Sequence, residues 1–471
     1  MRKKTLLRQL LRALLVCCIM LLPLVGGLPP RASAADPLVF VVNTFDDVPD
    51  MSPNLICAAG LPWGPKPCSL RAAIYEADYA LSLGYDVIIE VPEGTYKLTL
   101  TDTSQADPFQ GDLDLGSFAP VAGHVIHIRG LGPTRSVIDA DRHSRVLEVR
   151  NYEYVVQIDN LEFNNGLDVG DQNNSPAGGG IYFQEGALYL RNVAFRGNEA
   201  LWPSAQSTSS TGGGLFVGRA ELVMTDCHFY GNAAFYAAAF FSGPNYSITW
   251  VRDSVAHGNV GAFGGSVIRS TGSLYLVNSL ITDNLVRADG GQAGHYFSNV
   301  EFYGGGAIEN STLSMGPQPF WPTYNVHNGG ADYAVSLKNS VFRREPLALS
   351  QAVNCDPGSV GFVSGGGNVA DDNSCWTTPV QGDLQIDNGD WQLAQRFPYH
   401  WMPYGNSPVV DRLSAPCWIS ENDGAGGVLP TLLDYDLRGN ARDDNKCDAG
   451  AIEGRVSFGY LPWTYKALPP P

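Results

Sequence analysis

The chain has 471 residues, 44% of them hydrophobic and only 16% charged, with 53 glycines and a formal net charge of −17. That composition excludes collagen-like and disordered chains and suits a protein of many short strands and tight turns. The acidity speaks against nucleic acid or anionic lipid as a partner, because both require a basic footprint.

The first segment reads as an export signal. Arg2, Lys3, Lys4, Arg8 and Arg12 form a basic start, Ala13 to Leu28 is an uncharged, mostly apolar run of 16 residues, and Ala32-Ser33-Ala34 supplies small residues for cleavage. The competing reading is an uncleaved membrane anchor, but the run falls short of the roughly 20 residues a spanning helix needs. Pro29-Pro30 also closes it. Residues 1–34 are therefore expected to be a signal peptide, and their removal leaves a net charge of −23. No later stretch is apolar enough to cross a bilayer.

The remainder is expected to divide into an N-terminal cap and first coils over 35–120, repeats over 121–345, further coils and a closing segment over 346–454, and a tail over 455–471. At the front, Ser69-Leu-Arg-Ala-Ala-Ile74-Tyr-Glu-Ala77 predicts a short amphipathic helix. Ser69 caps it, and Leu70, Ala73, Ile74 and Ala77 share one face. Val87 to Pro92 and Gly94 to Leu100 then begin the strands.

The strongest signal is a repeat. An alternating strand, an Asn or Asp, a second short strand and a turn with Asn recur as Leu188 through Asn192 to Phe195 and Asn198, and as Leu222 through Asp226 to Phe229 and Asn232. The Asn/Asp marks fall at 160, 192, 226, 253, 278, 310 and 339. Steps of this size mark a solenoid. A Gly-rich mark leads several coils, and Gly180 to Phe195 and Gly214 to Phe229 are both 15 residues. Alternation such as Leu188 and Leu190 in, Tyr189 and Arg191 out, is that of a half-buried strand. Asn tolerates the left-handed backbone conformation, and its amide can bond to the same residue one coil away. The fold class expected is all-β, a single-stranded right-handed parallel β-helix with a short N-terminal capping helix. A leucine-rich repeat would show steady Leu spacing, and a propeller would lack the two landmarks.

Seven cysteines follow residue 34, and six fall into local pairs by separation: Cys57 with Cys68, Cys355 with Cys375, and Cys417 with Cys447. Disulfides suit an exported chain. Cys227 is left over, inside a strand pattern, and is expected to be free and buried. The rival reading is zinc, but no C-x-x-C or histidine pair sits near any of them.

The segment Cys68-Ser-Leu-Arg-Ala-Ala-Ile74 resembles the CSLREAI motif of bacterial secreted proteins with a pectin-lyase-like β-helix. It departs at Ala72, where the family has Glu, and so lacks the second half of a capping box. Gly304-Gly-Gly-Ala-Ile308 and the Phe195-x-x-Asn198 and Phe229-x-x-Asn232 phrases look like repeats of polymorphic outer-membrane and autotransporter-type adhesins. Gly365 to Asp372, Ser407 to Asp411 and Asp434 to Glu453 resemble the closing segment of the same proteins, sometimes labelled choice-of-anchor domains. The resemblance implies the fold and a secreted or cell-surface location, and it brings no catalytic residues.

Chemistry stands out less. The acidic clusters Asp139/Asp141, Asp371/Asp372 and Asp443/Asp444 sit in apparent turns, His257 occupies an ordinary turn position of its coil, and Arg343-Arg344 reads as a solvated edge. Residues 315–330 interrupt the period and contain Trp321 and Tyr324, which are the candidate substrate-binding pair because flat rings stack on sugars. Tyr399, His400, Trp401 and Tyr404 form a second aromatic group, and the competing role of both groups is to cover the flank of the coils. The function expected is a secreted or cell-surface, adhesin-like scaffold that binds surface glycans. The alternative is a polysaccharide lyase or glycoside hydrolase on the same fold. Carbohydrate or another cell-surface component is the expected partner, and no catalytic residue, cofactor or metal is assigned.

Overall fold

In the computed structural model the chain divides into a leading unit, Met1–Pro37, and a body, Leu38–Pro471. The structure describes residues 36–58, 67–101, 108–150, 154–170, 175–201, 210–243, 247–261, 265–286, 296–315, 322–330, 333–344, 352–358, 360–376, 378–386, 393–397, 400–403, 417–422, 428–433, 435–437, 442 and 447–451. Residues 1–34, expected to be a signal peptide, the tail over 455–471 and Asp443/Asp444 lie outside the described residues.

Parallel strands stack coil upon coil into a right-handed β-helix, with one α-helix among the described residues, near the start. Three ladders form its long faces. The first runs from Leu113–Leu115 and Leu147–Val149, through the starts of Ile181–Arg191 and Leu215–Thr225, to Phe240–Ser242, Ser266–Ser270, Phe297–Phe302, Thr323–Asn328 and Ala352–Asp356. The second begins with Leu38–Val41 and Val87–Val91 and ends with Val335–Lys338 and Phe362–Ser364. The two long strands bend from the first ladder into the second. At the bend in Ile181–Arg191, Gly186 has φ 126°, and a Cβ there would lie 2.2 Å from the Tyr154 carbonyl oxygen. The third ladder has 11 short strands from Thr95–Lys97 to Leu384–Gln385. A fourth, of five two-residue strands, runs from Leu167–Asp168 to Leu285–Val286.

The expected alternation holds: Leu188 and Leu190 are buried, and Tyr189 and Arg191 face out. Phe163, Phe195 and Phe229 stack inside the third ladder with centroids 5.6 and 4.7 Å apart. All seven Asn/Asp marks stand at the corner between the second and third ladders with φ between 46° and 57°. The amide of Asn192 donates to Asn160 Oδ1 at 2.8 Å, that of Asn278 to Asp253 at 2.5 Å, and that of Asn339 to Asn310 at 2.5 Å. A second ladder of amides is buried at the next corner: Asn198, Asn232, Asn259 and Asn284 are each linked to the next at 3.0 Å. These amides satisfy inward-facing backbone groups such as the carbonyls of Phe163, Phe195 and Phe229.

The capping helix, α1, spans Leu70–Ser82. Ser69 accepts from the Ala72 amide at 3.0 Å. Both faces of α1 are buried, beyond the amphipathic expectation, because its polar side chains anchor the loops laid over it. Arg71 pairs with Asp47 at 2.7 Å and donates to the carbonyls of Gly111 and Asp112. Glu76 accepts from the amides of Asn54 and Leu55, and Asp78 accepts from those of Gly116, Ser117 and Phe118 and from the Tyr154 hydroxyl. Ala72 is itself fully buried, which leaves no room for the Glu of the related motif.

The three expected disulfides are present, and Cys227 is free and buried. The antiparallel hairpin Trp418–Asn422 and Val428–Leu432 lies on the flank of the later coils. Ser420 donates to Glu309 through both N–H and hydroxyl, and Lys338 donates to the Trp418 carbonyl at 2.6 Å. No helix among the described residues is long and apolar enough to cross a membrane.

Candidate functional site

The outward side chains of the first ladder form one line in register: Asp114, Glu148, Tyr182, Phe216, Phe241, Arg269, Glu301, His327 and Asp356. It has three parts with different chemistry.

The first part is acidic. Asp112, Asp114 and Glu148 bring carboxylate oxygens within 4.8 Å of one another, a grouping that suits a cation. Arg145 already occupies it. Its guanidinium bonds Asp112 at 3.1 Å, Asp168 at 3.2 Å and Glu148, and Arg150 holds Glu148 from outside. Burial, and then the neighbouring Asp112 and Glu148, raise Asp114 far above the usual carboxylate range. Burial raises Glu148 as well, against the pull of Arg145. Two arginines and the raised carboxyl of Asp114 offset most of the cluster's charge.

The second part is a stack of half-buried rings. Tyr182 and Phe216 are 5.0 Å apart at 5°, and Phe216 and Phe241 are 5.2 Å apart at 8°. Their faces cover one another and Arg145 lies 5.3 Å from the Tyr182 ring, so ring edges meet the outside. Sugars stack on faces, and this column serves the packing of successive coils.

The third part differs because its rings are not parallel. Glu301, 1% exposed, accepts from the hydroxyls of Tyr296 at 2.6 Å and Tyr303 at 2.9 Å. Arg269 lies between the rings of Tyr236 at 4.6 Å and Tyr303 at 4.7 Å, with Nε 3.5 Å from Glu301. Among the described hydrogen bonds none uses its two Nη atoms. His327 Nδ1 is 2.9 Å from Asp356 Oδ2, and Nε2 makes no hydrogen bond among the described residues. The Asp356 carboxylate can only accept, so Nδ1 carries the proton and the ring is held in one orientation. Burial raises Tyr296 and Tyr303, with Glu301 adding to it, so both stay protonated donors at neutral pH.

Tyr324 belongs to this third part. Its half-buried ring is 5.5 Å from Tyr296 at 52° and 5.8 Å from His327 at 22°. It stands on the regular strand Thr323–Asn328, so the interruption of the period is shorter than 315–330. Polar Asn325, His327 and Asn328 mask the strand pattern there. Trp321, Tyr399 and Tyr404 lie outside the described residues, as do the side chains of His400 and Trp401.

Of the remaining sequence candidates, Asp139, Asp371, Asp372 and Arg344 are structural. Asp139 caps its own turn at Asp141 N, and Asp371 and Asp372 pair with Arg344 at 3.1 and 3.4 Å, so Arg344 is a tether and not a solvated edge. His257 lies on the third ladder against Tyr230. Sequence reasoning missed Arg269, Tyr296, Glu301, Tyr303, His327 and Asp356, which come from four successive coils. Their signal was the strand pattern of 297–302, hidden by a run of residues all buried.

No family model and no curated protein matches the sequence. Among solved structures, XylC in complex with xylose is similar at 10% identity and a TM-score of 0.32, over 75% of this chain and 70% of that one. A mutant of the PL6-family alginate lyase AlyGC is similar at 10% identity and a TM-score of 0.18, over 83% of this chain and 58% of that one. At these TM-scores neither neighbour bears on the chemistry of the chain.

Proposed function

We propose that the protein is a secreted or cell-surface, adhesin-like β-helix that holds a glycan on the first ladder, at Tyr296, Tyr303, Tyr324, His327 and Arg269. The observation that carries this reading is the angled ring cluster around a free imidazole Nε2 and free guanidinium Nη atoms. Sugar sites combine exposed aromatic surface with a few fixed polar groups, and here Glu301 and Asp356 fix them. The three disulfides fit an extracellular setting. A glycan array with wild type and Tyr324→Ala tests it: bound glycans should weaken about tenfold in the variant, roughly 1.4 kcal/mol. Equal binding by both would remove the site from the reading.

The polysaccharide-cleaving alternative is favoured by one observation, the His327–Asp356 pair, since an oriented imidazole serves as a general base. A reducing-end and unsaturated-product assay run beside the array separates the two. Product formation abolished by His327→Ala would make the protein an enzyme.

A further inference from the structure

A different edge of the coil carries a second groove. On the third ladder, Arg196, Tyr230 and His257 follow one another on successive rungs. Arg196 lies 5.7 Å from the Tyr230 ring, and the Tyr230 and His257 rings are 4.5 Å apart. Beside this wall runs a corner column of left-handed residues: Asn165, Gly197, Gly231, Gly258 and Asp283, with φ between 52° and 63°. Five rungs at the usual strand spacing make a floor about 19 Å long.

The left-handed backbone favours the glycines in the middle of that column without requiring them. Asn165 and Asp283 hold the same conformation with side chains. At Gly231 a Cβ would meet nothing within 4 Å, so the floor there is open space. Asn165, Arg196, Tyr230, Asp283 and Leu285 line the groove that results.

We propose that this groove binds an uncharged linear glycan lying along the helix axis, at a site separate from the first ladder. Its polar groups balance: the Arg196 guanidinium makes no hydrogen bond among the described residues, and Asp283, with Thr282 and Arg343 beside it, keeps a buried Oδ2 atom outside hydrogen-bond geometry. A chain of hydroxyls both donates and accepts, and so serves both ends. A polyanion would meet Asp283 and the overall charge of −17. An extended peptide needs unpaired backbone, but the N–H groups of Gly197 and Gly258 already donate to the next coil at 3.0 and 3.2 Å. Tyr230 and the exposed Leu285 supply apolar surface for the sugar C–H faces. This proposal does not rest on the first-ladder site.

The test is calorimetric titration of the whole protein with β-1,4-linked hexasaccharides of glucose, xylose and mannose. Wild type, Gly231→Asn, Tyr230→Ser and Tyr324→Ala are compared, each with its Tm. Asn is accepted in this column at Asn165, so Gly231→Asn should fold and fill the floor. We expect at least one hexasaccharide to lose affinity tenfold or more in both Gly231→Asn and Tyr230→Ser, and to keep it in Tyr324→Ala. Absence of binding by wild type overturns the proposal. So does binding that both groove variants retain, which also covers a Gly231→Asn chain that fails to fold, because Tyr230→Ser then decides. Loss in Tyr324→Ala alone supports the first-ladder reading and overturns this one.

Discussion

His327 and Asp356 stand on neighbouring rungs of the first ladder, with Nδ1 and Oδ2 2.9 Å apart, although 29 residues separate them in sequence. The pair orients an imidazole whose other nitrogen is free. Asp356→Asn should therefore weaken glycan binding about fivefold, the worth of one hydrogen bond near 1 kcal/mol. The Tm should stay close to that of wild type, because Asp356 lies at the surface end of the strand. Titration calorimetry with differential scanning on the same samples checks both.

Cys227 follows Val193 in a column that the next four coils continue with serine. Its N–H donates to the Ser254 hydroxyl at 3.1 Å, Ser254 N–H to Ser279 at 3.2 Å, Ser279 N–H to Ser311 at 3.1 Å, and Ser311 N–H to Ser340 at 3.2 Å. The serines also donate to the carbonyl two residues back, as Ser254 does to Arg252 at 2.7 Å. Cys227→Ser should thus change stability by less than about 1 kcal/mol, and Cys227→Phe should cost about 1–3 kcal/mol by overpacking. Burial raises the thiol to about 12, so iodoacetamide should leave the folded protein unlabelled and modify it only in denaturant. Chemical denaturation and mass spectrometry read the two effects.

Breaking the inner amide ladder should cost far more. Asn232 accepts from the Asn198 N–H and side-chain amide and donates to Phe195 O and Asn259. Asn232→Ala strands several buried groups at once, each costing about 1–3 kcal/mol. We expect a loss of at least about 3 kcal/mol by urea denaturation, where Asn192→Gly at the half-buried outer corner should lose much less.

Asp78 makes the N-terminal cap sensitive to pH. Burial raises its carboxyl from 3.8 to about 6, against the lowering effect of Tyr154 and three backbone amides. Between those values the folded state holds a proton that the unfolded state has released. The contribution of Asp78 is thus fully present below about pH 4 and lost as pH rises through 6. Asp78→Asn removes this dependence. The Tm of wild type minus that of the variant should fall between pH 4 and pH 6, by the equivalent of up to about 3 kcal/mol. A flat difference over that range would show that Asp78 does not titrate there.

Sequence alone determined the coil. The Asn/Asp period, the alternation of Leu188 to Arg191 and the step from Gly180 to Phe195 follow from requirements repeated in every coil: one left-handed corner, one inward face, one close approach. Requirements of that kind are local, so they are written locally. The disulfide pairs and Ser69 as helix cap were legible for the same reason. What only the tertiary structure decided is which outward side chains meet. Coil lengths vary by several residues, and the strands of the first ladder follow the most variable loops. The register that sets Arg269 beside Glu301, and His327 beside Asp356, therefore depends on how each loop closes. Outward positions also carry no burial pattern to read, so Tyr324 was singled out by residue type alone and the residues around it were not. The open floor at Gly231 was hidden for a related reason: sequence shows a glycine at a sharp corner, and only its surroundings show that the corner did not require one.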